Sequence, residues 1–130
     1  MPLQIELVSP EEVVFEGAAS LVIVRTTDGE VGFQSGHVPF VGVLAVGEVR
    51  AVMADGSVQH IAVHRGFVEI ADDQVTILSD VAELAASIDV GRAREARQRA
   101  EDALRTDPAD AEAAAAMSRA DVRIRVVDSV

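Results

Sequence analysis

The chain has no cysteine, no tryptophan, no tyrosine and no lysine among its 130 residues. Without cysteine there are no disulfides, no thiol nucleophile and no cysteine-based zinc site. Only four phenylalanines supply aromatic bulk, so any core must be built from Val, Ile, Leu and Ala. No apolar run approaches the ~18–20 residues of a membrane span, and no signal peptide is expected at the start. These absences point to a soluble, cytoplasmic protein.

What is present suffices for a folded chain. Hydrophobic residues make up 49% of the sequence, enough for a core and against global disorder. The net charge of -11 is unevenly spread. Residues 1–86 carry three arginines against thirteen carboxylates, net -10, whereas residues 87–130 carry eight against nine, net -1. An acidic N-terminal part argues against nucleic-acid binding, which needs a basic face. The arginines of the second part are the natural place for an anion.

Hydrophobic periodicity divides the chain into residues 1–86 and 87–130. Leu3, Ile5 and Leu7 alternate with polar residues, the period-2 pattern of a half-buried strand. Leu21 to Val24 is continuously apolar, as expected of a strand covered on both faces. Val58–Val63, Phe67–Ile70 and Val75–Leu78 follow. Asp28-Gly29, Asp55-Gly56 and Asp72-Asp73 suit tight turns that require positive φ. Short strands with no intervening helix predict an antiparallel β-sandwich or barrel.

After Ala86 the period becomes helical. Ala93, Ala96, Ala100, Ala103 and Leu104 form one stripe, and Ala113, Ala116, Ala120, Ile124 and Val127 form another. Between them, Asp107 reads as an N-cap with Pro108 at the first helical position. So short a connection predicts an antiparallel helical hairpin. Its alanine faces bury little area, so it should be marginally stable alone and free to change position.

Several segments, in order, resemble the epsilon subunits of F-type ATP synthases. They are Leu3 to Pro10 with Glu11 to Gly17, Thr27 to Gly32 with Gly36-His37-Val38-Pro39, Gly47 to Arg50, Ala62-Val63 with Gly66 to Glu69, and Val75 to Leu78. His64-Arg65 departs from the family pattern, where small residues are usual, and is expected to matter little. The resemblance implies a ten-stranded β-sandwich followed by a helical hairpin. It implies a non-catalytic subunit at the foot of the central stalk, on the cytoplasmic face of the bacterial plasma membrane. Its partners would be the gamma subunit, the c-subunit ring and, when the hairpin extends, the alpha and beta subunits, where it inhibits ATP hydrolysis. No cofactor is required.

Within that frame Glu30 and His37 are candidates for the c-ring contact; by residue type alone, a loop histidine beside Gly and Pro is simply solvated. His60 and His64, four apart on a strand, are read as satisfied strand positions and not as metal ligands. Ile88-Asp89-Val90-Gly91-Arg92-Ala93 matches a motif of epsilon subunits that bind ATP, and Glu83 and Arg99 also match nucleotide-contacting positions. Arg92 and Arg99 lie two turns apart on one helical face, so both can reach one phosphate chain. Asp89 can cap the helix or accept from an adenine amino group, and Ala93 leaves room for a base. The ordinary alternative is a solvated face on which Asp89, Glu95 and Asp102 pair with Arg92 and Arg99. Arg119 and Arg123 have no acid three or four residues away, which makes them candidates to meet an outside anion, while Arg125 has Asp121. ATP is therefore expected as a regulatory ligand. A free-standing ATP sensor or adaptor without a rotary partner is the competing reading. No catalytic triad, phosphate-cradling glycine loop or metal cluster supports an enzyme.

Overall fold

The computed structural model describes residues 2–130. Nine strands come first: β1 (Leu3–Val8), β2 (Val13–Thr26), β3 (Gly29–Phe33), β4 (Phe40–Leu44), β5 (Gly47–Met53), β6 (Val58–Val63), β7 (Gly66–Ala71), β8 (Gln74–Leu78) and β9 (Ala82–Leu84). A 3-10 turn over Ala85–Ser87 leads into α1 (Val90–Thr106) and α2 (Ala111–Asp128). The ten antiparallel strands expected become nine, and one pairing, β1 with β8, is parallel.

The long β2 ties the two layers together. Its first half pairs with β1 and its second half with β3 and β5, the register slipping between Ala19 and Leu21. Such a bulge bends a strand and lets it change layers. One layer then runs β2-β1-β8-β7-β4 and the other β3-β2-β5-β6-β9. Inward positions alternate as the pleat requires: Leu3, Ile5 and Leu7 of β1 and Val75 and Ile77 of β8 are buried with Val22, Val24, Phe33, Ile61 and Val68. Leu21 to Val24 is fully buried on one face only. Val22 and Val24 point inward, while Leu21 and Ile23 are half-buried on the other side.

The predicted turns are present. Gly29 and Gly56 have φ of +123° and +91°, and Asp72 and Asp73 both lie in the left-handed region, at 51° and 61°. Two such residues joining β7 to β8 are what a two-residue hairpin with the sheet's own twist demands.

The helices differ from expectation at their junction. Asp107 ends α1, and its carboxylate accepts from Ala109 N in the turn holding Pro108. The N-cap of α2 is Asp110, whose Oδ1 accepts from Ala113 N at 3.0 Å. Both aspartates can cap, but the Pro108 turn is closed by Asp110 N donating to Asp107 O, which moves the helix start three residues on. The alanine seam forms through Ala93, Ala100, Ala113 and Ala120. The sequence pattern did not reveal a second face on α2, where Val122 and Val126 pack on Ala62 of β6, with Val46, Ala85 and Ile88 around them. Through it the hairpin lies on the outer face of the β5-β6-β9 layer.

Candidate functional site

The site is built where β9, the outward side of β6 and the two helices meet. Asp89 caps α1, its Oδ1 accepting from Arg92 N at 3.1 Å. Ala93, expected to leave space for a base, is 4% exposed and spent in the helix seam, and Ile88 packs against Val122 and Val126.

The register of the hairpin follows from its ion pairs. Arg97 donates to Asp121 at 2.6 Å and Arg94 lies 3.7 Å from Asp128, which aligns α1 with an antiparallel α2 along one flank. At 3.6 residues per turn, Arg92, Ala96, Arg99 and Ala103 form the opposite flank of α1, and Glu112, Ala116, Arg119 and Arg123 that of α2. In an antiparallel pair these two flanks lie side by side. Arg119 is then roughly level with Arg99, and Arg123 falls between the levels of Arg92 and Arg99. Four of the candidate residues thus share one edge of the hairpin.

Their pairing reverses the expected one. Arg92 and Arg99 are exposed and, among the described residues, have no ion pair, although Asp89, Glu95 and Asp102 are near in sequence. Asp102 is taken by Arg105, at 2.8 Å. Arg119 and Arg123 are both paired. Arg119 reaches Glu112, seven residues back, at 3.1 Å, and Arg123 Nε donates to Glu83 Oε1 on β9 at 2.7 Å. Arg125, expected to hold Asp121, has lost it to Arg97. Neighbour counting within one helix misses the partners of Arg97, Arg119 and Arg123, because they come from another element or from two turns away.

Glu83 is the hub. His64, just past the end of β6, donates from Nε2 to the same Oε1 at 2.9 Å. A carboxylate only accepts, so Nε2 carries the proton. Burial alone would raise the Glu83 pKa, but the Arg123 and His64 hydrogen bonds and charges outweigh it and hold the carboxyl below its ordinary value. The His64 pKa is lowered, chiefly by burial, with Arg123 and Arg119 adding to the effect against the opposing pull of Glu83. The His64 departure was expected to matter little; instead the residue is buried and shares the Glu83 carboxylate with Arg123 of the hairpin. His60 bonds a different carboxylate, Glu48, at 3.1 Å, so the two histidines do not share a site.

Glu30 and His37 lie towards opposite ends of β3. Glu30 sits 3.6 Å from Arg50. His37 meets the Phe33 ring edge-on and donates from Nδ1 to Val38 O. Its loop is held by Asp73, which accepts from Gly36 N at 2.7 Å and Ser35 Oγ at 3.0 Å; these bonds lower the Asp73 pKa.

The outer face of the other layer has no hairpin over it. Val43, Phe67 and Leu78 are paired across β4, β7 and β8, all point outward, and Phe67 is 56% exposed. The next row along holds Val41, Glu69, Thr76, Glu6 and Glu16. The sequence signal for this patch was Phe67, a scarce aromatic placed at the outward phase of its strand.

Among the described residues no helix is long and apolar enough to cross a membrane. Residues 2–85 match the family model of the ATP synthase delta/epsilon chain β-sandwich domain, and residues 87–128 that of its long α-helix domain. The ATP synthase epsilon chain of Streptomyces griseus is 45% identical over 96% of this chain and 94% of its own length. That of Shouchella clausii is 42% identical over 95% and 93%. A chain of the Euglena gracilis mitochondrial ATP synthase shares the fold, with a TM-score of 0.73 at 21% identity, over 98% of this chain and 78% of its own. The protein therefore belongs to the ATP synthase epsilon-chain family, non-catalytic subunits of that complex.

Proposed function

We propose that this subunit couples and regulates rotation in the central stalk of a bacterial, proton-driven ATP synthase, and that its hairpin responds to ATP. The observation that carries the nucleotide reading is the arginine edge of the hairpin: Arg92, Arg99, Arg119 and Arg123 aligned, with Arg92 and Arg99 in no ion pair among the described residues. A triphosphate along that edge would receive planar guanidinium donors from both helices. Bridging both helices would favour the hairpin lying on the sandwich, and low ATP would release it towards the alpha and beta subunits, inhibiting hydrolysis. Asp89, already capping α1, orders the start of that edge, while Ile88 and Ala93 support it by packing. Glu83 enters through Arg123. The open Val43-Phe67-Leu78 row, flanked by carboxylates, suits the gamma subunit. Glu30 and His37 are assigned to the c ring, which places the subunit peripherally on the cytoplasmic side of the membrane.

Calorimetric titration of the whole chain with ATP tests this. Arg92→Ala and Arg99→Ala should each weaken binding about tenfold or more, in line with the worth of a hydrogen bond to a charged group. Arg125→Ala should leave affinity unchanged. Equal affinity in all the variants and the parent would remove the arginine edge as the site.

A further inference from the structure

The triad of His64, Glu83 and Arg123 joins three elements that are remote in sequence. Arg123 comes from α2, Glu83 from β9, and His64 from the turn between β6 and β7. Both donors converge on the one oxygen, Glu83 Oε1, at 2.7 and 2.9 Å. The imidazole is sealed in, its side chain 3% exposed, and its second nitrogen, Nδ1, is buried with no partner among the described residues. That nitrogen tolerates burial only while it is unprotonated, since a buried N–H without an acceptor loses its hydration uncompensated. Around His64 stand Glu83 on β9, Arg119 and Arg123 on α2, the neighbouring Arg65, and Asp80 of the β8–β9 loop, which lines the same groove. On the α2 side the facing charges are both positive.

We propose that His64, Glu83 and Arg123 form a proton-sensitive clasp that holds the hairpin on the sandwich while His64 is neutral and loosens when the imidazole is charged. This rests on the reading that the hairpin can leave the sandwich. In the docked state the imidazole would have to carry its charge beside two guanidiniums and without an acceptor at Nδ1. Once α2 leaves, Arg119 and Arg123 go with it and water reaches the ring. In the docked state the His64 pKa lies below the ordinary 6.5 of a free imidazole, so the clasp is at full strength above that value. It weakens as the pH falls from there through the docked value. Each unit of difference shifts the docking equilibrium about tenfold. Glu83 acts in the same direction at lower pH: its pKa is held down in the docked state, so its contribution is present above the ordinary 4.5 and fades below it.

The absence of native cysteine makes the test direct. Spin labels on Ala54→Cys in the sandwich and Ser118→Cys on α2, both exposed positions, report docking in the full chain by pulsed distance measurement. In this labelled background a longer distance should grow in as pH falls from 8 to 5.5, while His64→Gln, which keeps an amide donor for Glu83 but cannot titrate, should stay docked throughout. An identical pH response in His64→Gln overturns the clasp. So does a pH-indifferent parent when Arg123→Ala shows the long distance, which leaves the hairpin mobile but not governed by His64. If no variant shows it at any pH, the mobile hairpin itself is refuted and the clasp with it. The imidazole signals of His64 in the unlabelled chain are an independent check: titration below the ordinary histidine range supports the clasp, and titration at the ordinary value overturns it.

Discussion

The sandwich and the hairpin contribute similarly regular structure but hold together by different means. The sandwich buries Leu, Ile, Val and Phe side chains completely, including Leu3, Ile5, Phe33, Ile61 and Ile77. Each such side chain is worth about 1.5–3 kcal/mol of burial. The hairpin seam buries Ala93, Ala100, Ala113 and Ala120, and a single methyl contributes only about 0.8 kcal/mol. The helices compensate with surface ion pairs such as Arg97–Asp121, Arg97–Glu101 and Arg105–Asp102, which water and salt weaken. Two buried valines of α2, Val122 and Val126, are turned to the sandwich instead. One part should therefore be stable by itself, and the other should depend on what it lies against. For the regulatory arm proposed above that is a useful property: small changes in docking energy become large changes in population.

The largest expected effect separates the two parts outright. Phe33→Ala empties a fully buried site in the sandwich and should cost about 3–5 kcal/mol. Thermal unfolding followed in the far ultraviolet should show the whole transition moving down. By contrast, a chain ending at Ala86 should keep its β-sheet spectrum, because it loses no residue of the main core cluster. An unfolded 1–86 fragment would break the division and make the hairpin part of the sandwich's stability.

A smaller effect should stay within the hairpin. Ala120 is fully buried at the seam. Ala120→Leu would force the helices apart at a cost of about 1–3 kcal/mol. The distance between labels on Ala54→Cys and Ser118→Cys should lengthen or broaden while the main melting transition holds. If the sheet destabilises equally, the two parts share one cooperative unit and the contrast is lost.

How far these contrasts were readable in advance depends on the range of the interactions. Period-2 alternation in β1 and the left-handed turns at Gly29 and Asp72-Asp73 are local, and the sequence showed them. The strand count and the parallel β1–β8 pair were not readable, because β2 bends between layers at a bulge that no residue pattern marks. At the candidate site the arginine edge was half legible. Arg92 and Arg99 could be placed on one helix face, but their freedom from ion pairs, and the capture of Arg123 by Glu83, depend on partners up to forty residues away. The role of His64 was hidden for the same reason: it reads as an ordinary satisfied strand position until α2 and β9 are set around it.

The smallest expected effect sharpens the comparison at the point where the hairpin turns. Two aspartates, three residues apart, compete to begin α2. A helix start leaves its first amide N–H groups without partners, and the aspartate that accepts from one of them is the cap. Asp110 does so through Ala113 N, whereas Asp107 accepts from Ala109 N within the turn. Asp110→Ala should therefore lower hairpin stability by about 1 kcal/mol, seen as faster exchange of the first-turn amides of α2 and a small gain in the undocked distance. Asp107→Ala should cost a few tenths of a kcal/mol at most, since the amide it serves lies in an exposed turn where water can replace it. The sandwich amides should be indifferent to both. If Asp107→Ala has the larger effect, α2 begins at Pro108, and Glu112 stands a full turn inside the helix instead of at its start.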